Sequence, residues 1–203
     1  MTGYAVPGWF GKLPGMGDFA HRRLPEAFRK QWDDWLHDGL LQLRERHADW
    51  TVRYLEAPLW CFVLGRGVVG DGCWMGVLMP SVDGVGRYFP FTIATAFDHT
   101  PPAMSAWWAL AAQAALDGLE NDHDAQRFDA MLQRLFDSSI ALDATEGDSL
   151  PPLPLPLTGQ ALWLTLTDDV AELRLTTGGL PQGEVFDFLF GFDDRTPATE
   201  TAT

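Results

Sequence analysis

The spacing of apolar positions changes along the chain, and each change marks an element. Residues 6–13 read as a first strand, with Trp9 and Phe10 large and apolar. From residue 25 to about 47 the period lengthens. Phe28, Trp32, Trp35, Leu36, Leu40 and Leu43 recur at three- and four-residue steps, while Arg29, Lys30, Asp33, Asp34 and Arg44 fall off that face. This predicts an amphipathic helix with Trp32 and Trp35 in the core. Pro25 suits its first position. Gly39 costs about 1 kcal/mol relative to Ala in a helix interior, which points to a close neighbour or a bend.

Residues 59–64 are a short unbroken apolar run and read as a buried strand. A Gly-rich stretch, 65–70, leads to Asp71-Gly72, a hairpin signal, and then to a strand over 73–80. Residues 59–79 are thus an antiparallel hairpin, and 88–97 add the next strand. Thr100 caps a helix over 104–119 that has little polar surface, so it covers the sheet and is itself covered. A third helix, 122–137, carries Phe128, Met131, Leu132, Leu135 and Phe136 on one stripe. Residues 144–159 are a connector. Its Pro151 to Pro156 run favours extended polyproline II, laid over an apolar surface or offered to an SH3-type groove. Alternation resumes at Leu162, Leu164 and Leu166, turns at 167–169, and returns through Leu173 and Leu175. Residues 185–192 are an edge strand or a short helical turn.

These elements sum to a single α/β domain over 1–195, a three-layer α/β/α arrangement whose mixed sheet contains antiparallel hairpins. Residues 1–100 carry the motifs, 160–192 hold the C-terminal hairpin, and 196–203 form a frayed tail.

Charge narrows the partners. Lys plus Arg total 14 against 28 Asp plus Glu, a net −14, which argues against nucleic acid and against anionic membrane surfaces. A basic or neutral protein partner fits that field. No run reaches the length of a membrane span and no secretory signal is expected at the N-terminus, so a cytoplasmic protein is expected. Cys61 and Cys73 sit in strand-like runs, as core thiols or facing across a hairpin. With five scattered His they offer no metal spacing.

Two loops concentrate the remaining chemistry. Residues 81–91 hold Asp83 and Arg87 between Gly84 and Gly86, flanked by Pro80 and Pro90. Residues 11–19 hold Lys12, Asp18 and Phe19 among further Gly and Pro. The two are expected to lie together on one side of the sheet, with Arg87 paired to Asp83 or Asp18. Gly15 to Ala20 matches a dinucleotide fingerprint on paper, as does Gly65 to Gly70, but neither opens a helix aimed at a pyrophosphate. Gly11-Lys12 is no Walker loop, because Leu13 stands where Ser or Thr holds magnesium. Ser81 beside Asp83, and His21 near Asp18, are the only nucleophile and dyad candidates. Asp18, Asp71 and Asp83 each adjoin Gly, as a metal cluster would or as turn-shaping Asp residues do.

Three stretches stand in order here: Gly11-Lys12-Leu13-Pro14 with Gly17-Asp18-Phe19 and Arg22-Arg23-Leu24-Pro25; Trp32-Asp33 with Trp35-Leu36; and Trp74-Met75-Gly76 through Pro80-Ser81-Val82-Asp83 to Gly86-Arg87-Tyr88-Phe89-Pro90. Together they resemble the TagF (ImpM) family of type VI secretion accessory proteins. The resemblance covers roughly the first hundred residues. It implies a cytoplasmic, non-catalytic protein without cofactor or metal that represses secretion-system assembly after translation. Its implied partner is the forkhead-associated scaffold of the threonine-phosphorylation pathway. Some members are fused to a protein phosphatase, which is not expected in this chain. The motif positions Lys12, Asp18, Phe19, Arg22, Arg23, Asp83, Arg87, Tyr88 and Phe89 are the expected binding or loop-building residues. The competing expectation is a metal-dependent hydrolase or phosphatase-like enzyme using the loop aspartates.

Overall fold

The structure is a computed structural model that describes residues 5–97, 104–138, 155–165 and 173–192. In chain order it contains β1 (Gly8–Gly11), β2 (Ala20–Arg22), α1 (Glu26–Arg46), α2 (Trp50–Glu56), β3 (Trp60–Leu64), β4 (Cys73–Met79) and β5 (Phe91–Phe97). There follow α3 (Met104–Glu120), α4 (Ala125–Ser138), β6 (Gln160–Thr165), β7 (Arg174–Gly178) and α5 (Glu184–Leu189). The seven strands form one sheet in the order β2-β1-β5-β4-β3-β6-β7.

The α/β class and the hairpins are as expected, but the sheet is not mixed: every described pairing is antiparallel. A parallel neighbour needs a single crossover. Here the long connection carries two helices, α3 and α4, which pack on each other. The second returns the chain to the side the first had left, so β6 enters antiparallel to β3.

Strand alternation splits the core in two. Phe10, Trp60, Phe62, Leu64, Leu78 and Trp163 face α1, α2 and α5. Trp9, Cys61, Val63, Val77, Ile93 and Leu162 face α3 and α4. The α1 stripe of six apolar residues is buried as its spacing predicts. Three buried Trp rings over α1, α5 and the sheet pair their N–H groups, whereas the buried Nε1 atoms of Trp108 and Trp163 have no hydrogen-bond partner among the described residues. Trp32 donates to the Thr92 hydroxyl at 2.9 Å, Trp35 to the Pro181 carbonyl at 2.6 Å and Trp60 to the Leu189 carbonyl at 2.8 Å.

The segment over 185–192 is not an edge strand but falls within and after helix α5. Phe186 fills the space over Gly39, where a Cβ would collide with its ring. Asp187, buried, accepts a forked pair of hydrogen bonds from Arg46 Nε and Nη2, both 2.7 Å, and lies 3.1 Å from His47 Nε2. β2 and α2 have no counterpart in the sequence periodicity. Strand β5 begins only at Phe91, since Pro90 has no N–H for a ladder, and Val82 and Tyr88 make a lone bridge before it. The ladder sets Cys61 opposite Val77 and Cys73 opposite Phe97, not opposite each other. Thr100, the bulk of the connector with Pro151 to Pro154, the 167–169 turn and the 196–203 tail lie outside the described residues.

Candidate functional site

The two motif loops meet, and a carboxylate joins them. Asp83 is buried at 3% exposure and draws its neighbours inward from both loops. Its Oδ1 accepts the backbone N–H groups of Val85 at 3.1 Å and Arg87 at 2.9 Å, so the side chain folds its own loop. Its Oδ2 accepts Arg87 Nε at 2.7 Å and Lys12 Nζ at 3.1 Å. Lys12 is itself buried, at 4% exposure, whereas the Arg87 side chain is 51% exposed. Arg87 also donates to the Gly17 carbonyl, and Gly84 N–H reaches the Met16 carbonyl at 3.4 Å. A Cβ on Gly84 would stand 2.7 Å from the Pro14 carbonyl, so only glycine lets the loops approach this closely.

Burial opposes ionisation of Asp83. The Arg87 backbone N–H, the Lys12 and Arg87 side chains and the Val85 N–H outweigh it, and hold the carboxyl well below the usual carboxylate range. The loop's base is fixed from below by Tyr54. Its hydroxyl donates to the Ser81 carbonyl at 3.2 Å and accepts the Ser81 N–H at 3.1 Å. Burial pushes the Tyr54 phenol far above its ordinary value, though the bond to Ser81 pulls the other way.

Aromatic rings surround this cluster. Phe19 stacks on Phe10 at 5.8 Å and meets Phe89 edge-on at 4.7 Å. Lys12 Nζ lies over the Phe19 ring, 4.5 Å from its centroid. Phe89 is buried, while half-buried Tyr88 sits edge-on to Trp50 at 5.1 Å and to Tyr54 at 5.8 Å. Phe19 is 46% and Val85 71% exposed.

The other motif residues lie apart from Asp83. Asp18 does not pair with Arg87. Its exposed carboxylate accepts the next N–H, that of Phe19, at 2.8 Å. Arg22 donates to the His21 carbonyl and lies over Trp9, on the α4 side. Arg23, at φ 57°, turns back across β1. It donates to the Pro7 carbonyl at 2.9 Å and to both oxygens of Asp129, which also accepts Trp9 Nε1 at 2.8 Å. Arg23 ties the end of β2 to α4 and Arg22 covers Trp9 of β1, so both build the fold rather than the loop pair. His21 meets guanidinium groups rather than a carboxylate: partial burial, then Arg29 and Arg22, lower its pKa. Ser81 is fully buried, and among the described residues no three His, Cys, Asp or Glu side chains group as a metal site would require.

Sequence reasoning missed Tyr54, Trp50, Asp129 and the Lys12–Asp83 link. The partners of that link are 71 positions apart, with no local pattern to connect them.

The model of the TagF N-terminal domain, type VI secretion system-associated, matches residues 8–135. The chain belongs to the TagF family. The matched stretch spans both motif loops, α1 and most of α4, so β6, β7 and α5 lie beyond it. The crystal structure of PA0076 from Pseudomonas aeruginosa PAO1 is similar to this TagF chain, with a TM-score of 0.72 and 25% sequence identity, over 94% of this chain and 97% of that one. A search of curated proteins finds no match. Among the described residues of this TagF chain, no helix is long and apolar enough to cross a membrane.

Proposed function

We propose that this TagF chain is a non-catalytic, cytoplasmic accessory protein of the type VI secretion system. It represses assembly after translation by binding the forkhead-associated scaffold protein through the face built by its two motif loops. The observation that carries this reading is how the motif residues are employed. Asp83, the most acidic group of the site, has both oxygens engaged by four donors. It therefore stiffens the loops and leaves no lone pair directed at a metal or substrate. The stiffened loops present Phe19, Val85 and Arg87 outward, beside the exposed carboxylate of Asp18. Such a preformed, partly aromatic surface suits protein recognition. Hydrolysis through Asp18, Asp71 and Asp83 has no comparable support, because Asp18 and Asp83 are bonded to their own loops.

The test uses Val85, whose side chain touches none of the internal bonds. Exchanging Asp83 and Arg87 would set an arginine beside buried Lys12 and damage the fold. In cells lacking the native protein, Val85→Arg should fold normally, fail to capture the forkhead-associated scaffold and fail to repress secretion. Full repression and full capture by Val85→Arg would mean that the loops are structural and that the partner binds elsewhere.

A further inference from the structure

The two ends of the sheet are finished differently. At one end, β2 is three residues long and stops at Arg23, whose φ is 57°, just before Pro25. Edges this short do not recruit further strands. At the other end stands β7, five residues long, with no proline and a single charge, Arg174. Thr165 N–H donates to the Leu173 carbonyl at 3.1 Å, and Gly179 N–H to the Gly159 carbonyl at 2.7 Å. The odd-numbered residues of this stretch therefore bond to β6. By antiparallel alternation, the backbone N–H and C=O groups of Arg174, Thr176 and Gly178 point to the outer edge, where no strand among the described residues meets them.

Side chains alternate across the same strand. Leu175 lies opposite Trp163, so Leu173, Leu175 and Thr177 share the face of α1 and α5. Leu173 is 45% exposed. A groove of about 490 Å³ runs along this edge, lined by Leu175, Thr177, Leu180, Pro181 and the exposed Val185. Leu173 thus stands at one end of the strand, and Leu180 and Pro181 follow the other end. Arg174, Thr176 and Gly178 occupy the opposite face, where a Cβ on Gly178 would meet nothing within 4 Å.

We propose that β7 pairs antiparallel with β7 of a second copy of this chain, centred on Thr176, so that one sheet runs through a two-fold dimer. An isologous interface requires a strand complementary to itself, and β7 is one. With Thr176 on the two-fold axis, Arg174 meets Gly178 of the partner subunit. The outward residues Arg174, Thr176 and Gly178 then all form bonded pairs, each pair exchanging two hydrogen bonds. The one charge of the strand faces a glycine with open space beside it, not a second arginine. The reversal of direction carries exposed Leu173 to the end where Leu180 and Pro181 of the partner subunit line the groove. Residues 173–179 contain no acid, so two chains of net charge −14 meet here without opposing carboxylates on the paired strands. The motif loops adjoin β1, β4 and β5, away from β7, and stay open in the dimer whatever they bind.

Sedimentation velocity and light scattering on the full chain, over a range of concentrations, test the pairing. The mass should rise from one chain to two, and the dimer should strengthen as salt screens the repulsion between two acidic chains. Thr176→Pro removes a central outward N–H that β6 does not use, so it should fold and stay monomeric. Leu173→Ser should fold and weaken dimerisation about tenfold, since it removes an apolar contact from each half of the interface. In a Cys73→Ser background, a short bismaleimide should join Thr176→Cys chains into covalent dimers. Thermal melts establish folding, and if Thr176→Pro does not fold, Leu173→Ser and the cross-link decide. A chain that stays monomeric at every concentration overturns the proposal. Amide exchange at Arg174, Thr176 and Gly178 then tells why: slow exchange means that another segment of the same chain covers the edge, and fast exchange leaves it to a strand of a different protein. A folded Thr176→Pro that still dimerises also overturns it, because the contact lies elsewhere. So does a dimer that salt dissociates, because attraction between charges then holds it.

Discussion

At the scale of single residues, Asp83 controls the site because it is the shared acceptor of a buried and an exposed cation. Removing its charge strands the Lys12 ammonium, so Asp83→Asn is expected to cost about 3–5 kcal/mol. Arg87→Ala leaves Asp83 with Lys12 and two N–H donors, and the lost guanidinium is half exposed. Its cost should be near 1 kcal/mol or less. Denaturant unfolding of the two variants checks the order, and a reversed order contradicts the arrangement. A pH dependence follows from the same group. The folded carboxyl titrates below its unfolded value of about 3.9. Its stabilisation is therefore complete above about pH 4 and is lost as pH falls through the lower folded value. Wild-type stability should drop more steeply across that acid range than that of Asp83→Asn.

At the scale of elements, Gly39 explains how α5 is seated. On an isolated helix, Gly39→Ala should stabilise by about 1 kcal/mol. Here the added methyl meets the Phe186 ring, and overpacking of this kind costs about 1–3 kcal/mol. Gly39→Ala should therefore lower the melting temperature, and a second substitution, Phe186→Leu, should restore part of the loss. A stabilised Gly39→Ala protein would mean that α5 does not pack there. The same helix is held by the Arg46–Asp187 fork, so packing and charge fix it at both ends of its contact with α1.

At the scale of the whole molecule, two cores share one sheet. Phe62 and Val63 are neighbours in β3, yet one faces α1 and the other faces α3 and α4. Neither helical face has a core without the strands it shares with the other. Leu36→Ala on one face and Leu132→Ala on the other should each cost about 2–5 kcal/mol, and each should shift one cooperative transition. Separate transitions, with only one core responding to each substitution, would contradict a shared sheet.

The elements whose patterns repeat within one or two turns were fixed by sequence alone: α1 by its three- and four-residue steps, and the β3–β4 hairpin by its apolar runs around Asp71-Gly72. A periodic face depends only on neighbours along the chain, and it survives whatever the face packs against. The approach of the two motif loops was legible for a similar reason, since Gly, Pro and opposed charges accumulate where strands must end. Tertiary structure decided the rest. Ala20–Arg22 becomes strand β2 because β1 offers it an edge, not because its residues favour one. Residues 184–189 seat against α1 as helix α5 where Gly39 leaves room for Phe186. Asp83 takes Lys12 as well as Arg87, and Arg23 takes Asp129, across 71 and 106 positions. An ion pair depends on which atoms the fold brings within a few ångströms, and residue types and local spacing carry no record of that distance.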